Sequence, residues 1–328
     1  MIWLEFVLSA AIIVFAAIKL AEYGDAISVR TKLGGLFIGV IFMAAATSLP
    51  ELLTTVNSIN QGIPDLAAGN MFGSCMFNML LLGIMDLVNW RERILRRVAR
   101  RHALSGSIAS LLITLAIFFI MADINLKIGW VGIDSLVLIG TYIIGIRIIR
   151  SNIVSVPKSQ EDIIDESVPK LSVALIGFGL ATLALILVMP WLVTISNDIA
   201  TITGLGTGFV GTALVAFVTS LPELVTTITA VRLGVYDLAV GNLFGSNMFN
   251  IFALGLSDVF ALDGRFLGVI SPDFVLVGLL GLVMTLMGLI GNQAKLERRI
   301  FILELDAFAL IVVYIIGMGL LYSWGLGT

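Results

Sequence analysis

A proline and a glutamate stand side by side inside an otherwise apolar run, Thr47-Ser48-Leu49-Pro50-Glu51-Leu52-Leu53-Thr54-Thr55. The phrase returns 172 residues later as Thr219-Ser220-Leu221-Pro222-Glu223-Leu224-Val225-Thr226-Thr227. Proline has no N–H, so Pro50 denies the Ala46 carbonyl its helical partner, and Pro222 does the same to Val218. A charged side chain at bilayer depth costs about 2.5–3.5 kcal/mol or more and marks a functional site by default. Both defects occur together, twice. They point to two interrupted helices that carry two acids into the interior of a membrane protein.

The surrounding sequence supports the membrane reading. The 328 residues are 59% hydrophobic and 12% charged, with a mean hydropathy of +1.09, whereas soluble proteins average about 25% charged. Apolar runs of spanning length place ten spans at about 2–20, 34–59, 64–89, 103–121, 128–146, 171–194, 206–231, 236–260, 270–291 and 302–323. The first run lacks a basic leader and a cleavage site, so it reads as a span and not a signal peptide. The fold class expected is an all-α polytopic membrane protein. Cys75 is the only cysteine, which excludes a disulfide framework within the chain and any multi-cysteine metal site. It reads as a small buried residue. The single histidine, His102, is expected in a loop behind an arginine cluster, and one histidine cannot make an HExxH site.

The polar stretch 147–170 divides the chain into halves, 1–146 and 171–328, and reads as a cytoplasmic linker. With the N-terminus outside, 17 Lys and Arg fall on the cytoplasmic side, including six arginines between Arg91 and Arg101, and only Lys127 and Arg265 fall opposite. That asymmetry sets the orientation and places both termini outside the cytoplasm. Five spans per half make the second half enter from the opposite face, so the halves are expected to be inverted repeats with broken helices 2 and 7, as in many secondary transporters. Positions 47–83 and 219–255 are identical at 22 of 37 places. Beyond them the similarity thins, although Leu33, Gly34, Phe37 and Gly39 still match Leu205, Gly206, Phe209 and Gly211.

Each Thr-Ser-Leu-Pro-Glu segment (motif regions 44–83 and 216–255) is followed by a second polar helix. In it Asn70, Ser74 and Asn78 recur as Asn242, Ser246 and Asn250. Spacing of four puts the three on one helical face. Gly69 and Gly73 beside that stripe permit close helix approach. Calcium takes six to eight oxygens from carboxylates, carbonyls and amides. Two bidentate glutamates, Glu51 and Glu223, with carbonyls freed at Thr47 and Thr219, would supply six, and two negative charges would balance one divalent ion. Hydroxyls of Thr47, Ser48, Thr219, Ser220, Ser74 and Ser246 would suit a monovalent ion such as sodium, and competition for the same carboxylates gives a basis for exchange.

Other readings of the same residues exist. Ser48-Leu-Pro-Glu51 matches a capping box, though here the cap would lie in mid-membrane and occur twice. A desolvated carboxylate can carry a proton, so proton/calcium or sodium/proton exchange at the same glutamates is the alternative within transport. An intramembrane aspartyl protease built on Asp65 and Asp237 lacks a GxGD partner, and a passive cation channel is disfavoured by the paired broken helices. Asp65 and Asp237 read as helix N-terminal groups, and Asp86 and Asp258 as solvated helix ends.

The doubled pattern TSLPE…GNxxGS…FN resembles the calcium/cation antiporter superfamily, specifically its prokaryotic sodium/calcium exchangers, and the likeness in architecture covers the whole chain. The resemblance implies a ten-helix antiporter, not an enzyme, in which a long helix pair slides between inward- and outward-open states. It implies calcium and sodium as transported ions, no cofactor, no nucleic-acid partner, and a monomer in the bilayer, in the plasma (inner) membrane of a prokaryotic host. It also implies a calcium site at Glu51, Glu223 and the Thr47 and Thr219 carbonyls. Sodium sites would use the Ala44 and Ala216 carbonyls with Ser48, Ser220, Ser74 and Ser246, and Asn78 and Asn250 would sit at the centre. The chain departs from the family pattern at Ala46 and Val218, where glycine is usual. It also has Asn250 where potassium-dependent members carry an acid.

Overall fold

The computed structural model describes residues 1–31, 43–89, 94–151, 168–261, 264–293, 299–300 and 303–326. The first half runs α1 (Ile2–Thr31), α2 (43–47), α3 (Leu49–Asn60), α4 (Pro64–Val88), α5 (Ile94–Ala122), a hairpin of β1 (Lys127–Ile128) and β2 (Val131–Gly132), then α6 (Ile133–Ser151). The second runs α7 (Leu171–Thr203), α8 (Thr207–Val210), a π-helical turn Gly211–Val215, α9 (Ala216–Thr219), α10 (Leu221–Arg232) and α11 (Tyr236–Ser257). It closes with α12 (Phe266–Val269), α13 (Phe274–Gln293), β3 (Arg299–Ile300), β4 (Leu303–Glu304) and α14 (Leu305–Ser323). The start of the second expected span with Leu33, Gly34, Phe37 and Gly39, and linker residues 152–167, lie outside the described residues, as do the arginine side chains of 91–101.

Helix lies in every expected span. Among the described residues five helices are long and apolar enough to cross a membrane unbroken, and the bent pair Thr207–Thr219 with Leu221–Arg232 makes a sixth. Two of the helices outside that set carry buried polar residues. In α11 the buried set includes Asn242, Ser246, Asn247 and Asn250, and α6 buries Asp134 and Ser135. Their polarity faces protein and not lipid, which is how such helices are tolerated at membrane depth.

Helices α1 and α7 outrun their expected spans, reaching 30 and 33 residues, about 45 and 50 Å at roughly 1.5 Å per residue. The charges after Leu20 do not end α1. Lys19 pairs with Glu22 one turn on at 2.6 Å, and Arg30 donates to the Pro169 carbonyl just before α7. The two long helices pack along each other. With the buried faces of Ala46, Val210, Val215 and Val218 they form an apolar cluster separate from the larger one formed by α4, α5, α11 and α13.

The internal repetition extends past the stretch where residues match. Shifted by 172, α3 coincides with α10, the β1–β2 hairpin with β3–β4, and α6 with α14, residue for residue in their bounds. The two halves do not sit apart as lobes. Helix α4 packs on α13 and α14 of the second half, α11 on α5 and α6 of the first, and α3 and α10 lean on α7 and α1 respectively. Each polar helix is thus enclosed by helices of the opposite repeat.

Two expectations are corrected. His102 lies within α5, is buried, and sits 3.4 Å from Asp237 at the start of α11. Asp86 and Asp258 are buried, not solvated helix ends. Asp258 accepts the Gly132 N–H at 2.6 Å and the Phe266 N–H, so it ties the first half's hairpin to the chain leaving α11. Beside it Arg265 donates to Asp134 at 3.0 Å. Removing a buried acceptor leaves its donors unsatisfied at about 1–3 kcal/mol each. Asp258→Ala is therefore expected to lower stability by about 2–5 kcal/mol, read as a drop of the unfolding midpoint in detergent. An unchanged midpoint would show that these bonds contribute nothing.

Candidate ion-binding site

The two broken helices interrupt at equivalent serines. Ser48 has φ −90° and ψ 9°, and Ser220 has φ −89° and ψ 5°. This is the bridge region, sparsely populated and frequent at functional sites. Backbone bonds step over each break, Ser48 N–H to Ala44 and Leu52 N–H to Ser48, then Ser220 N–H to Ala216 and Leu224 N–H to Ser220. Proline supplies no N–H to close the helical bond on Ala46 or on Val218, and the Val218 carbonyl accepts a capping backbone N–H instead. Each break lies one turn before its acid, next to the carbonyls of Thr47 and Thr219. Ala44 accepts both the Ser48 N–H at 3.0 Å and the Thr47 hydroxyl at 3.2 Å, and Ala216 accepts the Ser220 N–H at 3.0 Å.

Val218 does not disturb this geometry. It lies in α9 ahead of the break with its side chain in the α1–α7 cluster, as does Ala46 in the other half. The torsions at the two breaks agree within a few degrees. Upstream, the π-helical turn Gly211–Val215 widens the helix, and such bulges cluster at functional sites. It is seated on α4 through glycines. A Cβ on Gly69 would meet the Gly208 carbonyl at 2.5 Å, and one on Gly73 the Thr212 carbonyl at 2.6 Å. Expected small-residue contacts thus join α4 to the broken helix of the other half.

Glu51 and Glu223 are fully buried and near enough to repel each other. Each has one oxygen held by two serines, one from each half. Glu51 Oε1 accepts Ser220 at 3.1 Å with Ser74 at 3.5 Å, and Glu223 Oε1 accepts Ser48 at 2.7 Å and Ser246 at 3.3 Å. Neither Ser48 nor Ser220 caps its own helix, so the capping-box reading does not describe them. Oε2 of each glutamate is buried without a hydrogen-bond donor. Asn70 ties the halves together, donating to the Glu51 carbonyl at 3.2 Å and accepting from Thr219 at 3.0 Å, whereas Asn242 donates to Thr226 at 3.1 Å.

Further residues escaped the sequence reading. Buried hydroxyls on helices usually bond the carbonyl four residues back, as Ser58 does to Thr54 at 2.8 Å. Thr55 and Thr227 do not, and their oxygens are buried without partners. The carbonyl that Thr55 would use, that of Glu51, already receives Asn70. Asn78 donates to Asn247 at 3.0 Å, while neither amide atom of Asn250 has a hydrogen-bond partner. Asn247 escaped because its counterpart in the first half is Cys75, so the alignment of the halves gave no sign of it.

Among the described residues no group of three or more His, Cys, Asp and Glu side chains is placed to hold a metal ion. The acidic content here is two carboxylates, surrounded by hydroxyl, amide and carbonyl oxygens. Such an all-oxygen set suits hard cations and not zinc or other thiophilic metals. Fold and site together define a polytopic membrane transporter of cations. The chain belongs to the sodium/calcium exchanger protein family, whose profile matches residues 1–149 and 173–323. It is a cation antiporter and not an enzyme. It is 28% identical over 266 residues to the inner membrane protein YrbG of Escherichia coli, covering 75% of each chain. It is 44% identical over 82 residues to the sodium/calcium exchanger MaX1 of Methanosarcina acetivorans, 25% of this chain and 23% of that one. In fold it is similar to the solved sodium-calcium exchanger NCX_Mj, with a TM-score of 0.63, 23% identity, and coverage of 97% and 99% of the two chains.

Proposed function

We propose that this protein exchanges sodium for calcium by alternating access, with calcium held between Glu51 and Glu223. The observation that carries the reading is the pair of bare Oε2 atoms on two fully buried acids. One divalent ion would neutralise both charges, and the carbonyls of Thr47 and Thr219 stand one turn away at the breaks. Ser48, Ser220, Ser74 and Ser246 place neutral hydroxyls on the same carboxylates. Sodium would use those oxygens when calcium leaves, with Asn78 and Asn250 at the centre and the second lone pairs of carbonyls such as Ala216 added as the site rearranges. Two inverted repeats, 1–146 and 171–328, supply half a site each. The 17-to-2 distribution of basic residues supports extracytoplasmic termini, and the likeness to an inner membrane protein of a bacterium supports the plasma membrane.

Sodium is favoured over protons by those four serines and by the identity to an exchanger described as sodium/calcium. In proteoliposomes, an outward sodium gradient should drive calcium uptake, and a pH gradient of equal size without sodium should not. Uptake driven only by the pH gradient would replace this reading with proton/calcium exchange.

A further inference from the structure

Asn78 is buried among helices with its Oδ1 lacking any donor, an orientation that looks costly until its neighbours are followed. The Thr285 hydroxyl on α13 donates to the Gly281 carbonyl at 2.7 Å. Its one hydrogen is then used, so toward Asn247 it can only accept, and Asn247 Nδ2 lies 3.3 Å away. The Cys75 carbonyl, an acceptor by nature, also takes Asn247 Nδ2 at 3.3 Å. With its NH2 group facing two acceptors, Asn247 must present Oδ1 to Asn78, and Asn78 meets it with Nδ2 at 3.0 Å. The Asn78 oxygen is thereby forced to the other side.

We propose that Asn247, supported by Thr285, is a positioning residue that holds Asn78 with its amide oxygen, and never its NH2, toward the transported cation. The inference rests on the reading of Glu51 and Glu223 as the ion site. Turning Asn78 over would set two amide oxygens against each other and lose a buried hydrogen bond. The second half has no such lock. The positions matching Asn247 and Thr285 are Cys75 and Ile113, and the Asn250 amide lies beside the Cys75 thiol. One central amide is therefore preset as an oxygen ligand, and the other lacks the matching pair of acceptors.

Calcium self-exchange in proteoliposomes, followed with radiolabelled calcium, tests this without assuming a coupling ion. Asn247→Ala is expected to raise the half-saturating calcium concentration about five- to tenfold, the scale of one lost oriented ligand, with the maximal rate changed less. Thr285→Val, which leaves the Cys75 contact, should raise it by a smaller factor, and Thr285→Ser, which restores the hydroxyl, should return it to the wild-type value. A half-saturating concentration unmoved in Thr285→Val, or unrestored by Thr285→Ser, overturns the lock even if Asn247→Ala fails to fold. Glu51→Gln run alongside separates the two claims. If that variant still exchanges calcium, the site itself is misplaced, and if it does not while the Asn247 and Thr285 series is flat, only the lock fails.

Discussion

Replacing either buried glutamate by glutamine, Glu51→Gln or Glu223→Gln, should cut calcium self-exchange by about 100-fold or more while the protein stays folded. The expected size follows from charge. A divalent ion between two carboxylates is neutralised, and removing one leaves an uncompensated charge at about 3–5 kcal/mol, with each 1.4 kcal/mol worth roughly tenfold. Glutamine keeps the volume and can still meet the serine hydroxyls, so the fold has little reason to fail. Without calcium the variants should be at least as stable as the parent, because the two acids are buried at 0% exposure and repel each other. What should vanish is the rise in unfolding temperature that calcium confers by binding the native state. Thermal unfolding of purified protein with and without calcium reads both effects. Near-normal exchange in either variant, or a preserved calcium shift, would remove these carboxylates from the site.

The prolines carry the second large effect. Pro222→Ala restores an N–H opposite the Val218 carbonyl and lets the helix close across Ser220, drawing the freed carbonyls back into helical bonds. The 42° bend between the two segments should diminish with it. Proline is well tolerated in the first turn of a helix, and Pro222 occupies that place in α10, so its loss should leave stability unchanged or slightly raised. Calcium exchange should nevertheless fall by about tenfold or more, the worth of one or two carbonyl ligands, and Pro50→Ala should behave alike. Exchange at the parental rate would mean that the carbonyls at the breaks do not serve the ion. The combination of lower transport and undiminished stability is what distinguishes a lost ligand from a damaged fold.

Much of the site was legible because it depends on residues that are locally improbable. An acid next to a proline in an apolar run has few uses, and its repetition at a fixed spacing named Glu51, Glu223 and the serines beside them before any contact was visible. Glycines 69 and 73 were legible for a related reason, since four-residue spacing on a helix implies a close neighbour. The identity of that neighbour was not. It is the π-helical turn of the opposite half, brought there by packing between residues more than a hundred positions apart. Asn247, Thr55 and Thr227 were invisible for a different reason. A buried amide or hydroxyl is ordinary in a helix interior, and what sets these apart is whether the usual acceptors are already taken. Asp258 was misread because its position near a helix end suggested water, whereas two backbone N–H groups from distant segments reach it first.

By itself the sequence determined the membrane class, the two broken helices, the acids they carry and the duplication of the motif, because each follows from the cost of placing a proline, a charge or an unpaired carbonyl in hydrocarbon. Only the tertiary structure decided that the repeats interlock instead of lying side by side, so that each glutamate is held by a serine from the other half. It also decided which way the Asn78 amide turns. Those choices are settled by competition among hydrogen-bond donors for a limited set of buried acceptors, and the competitors meet only when helices from both ends of the chain are packed together.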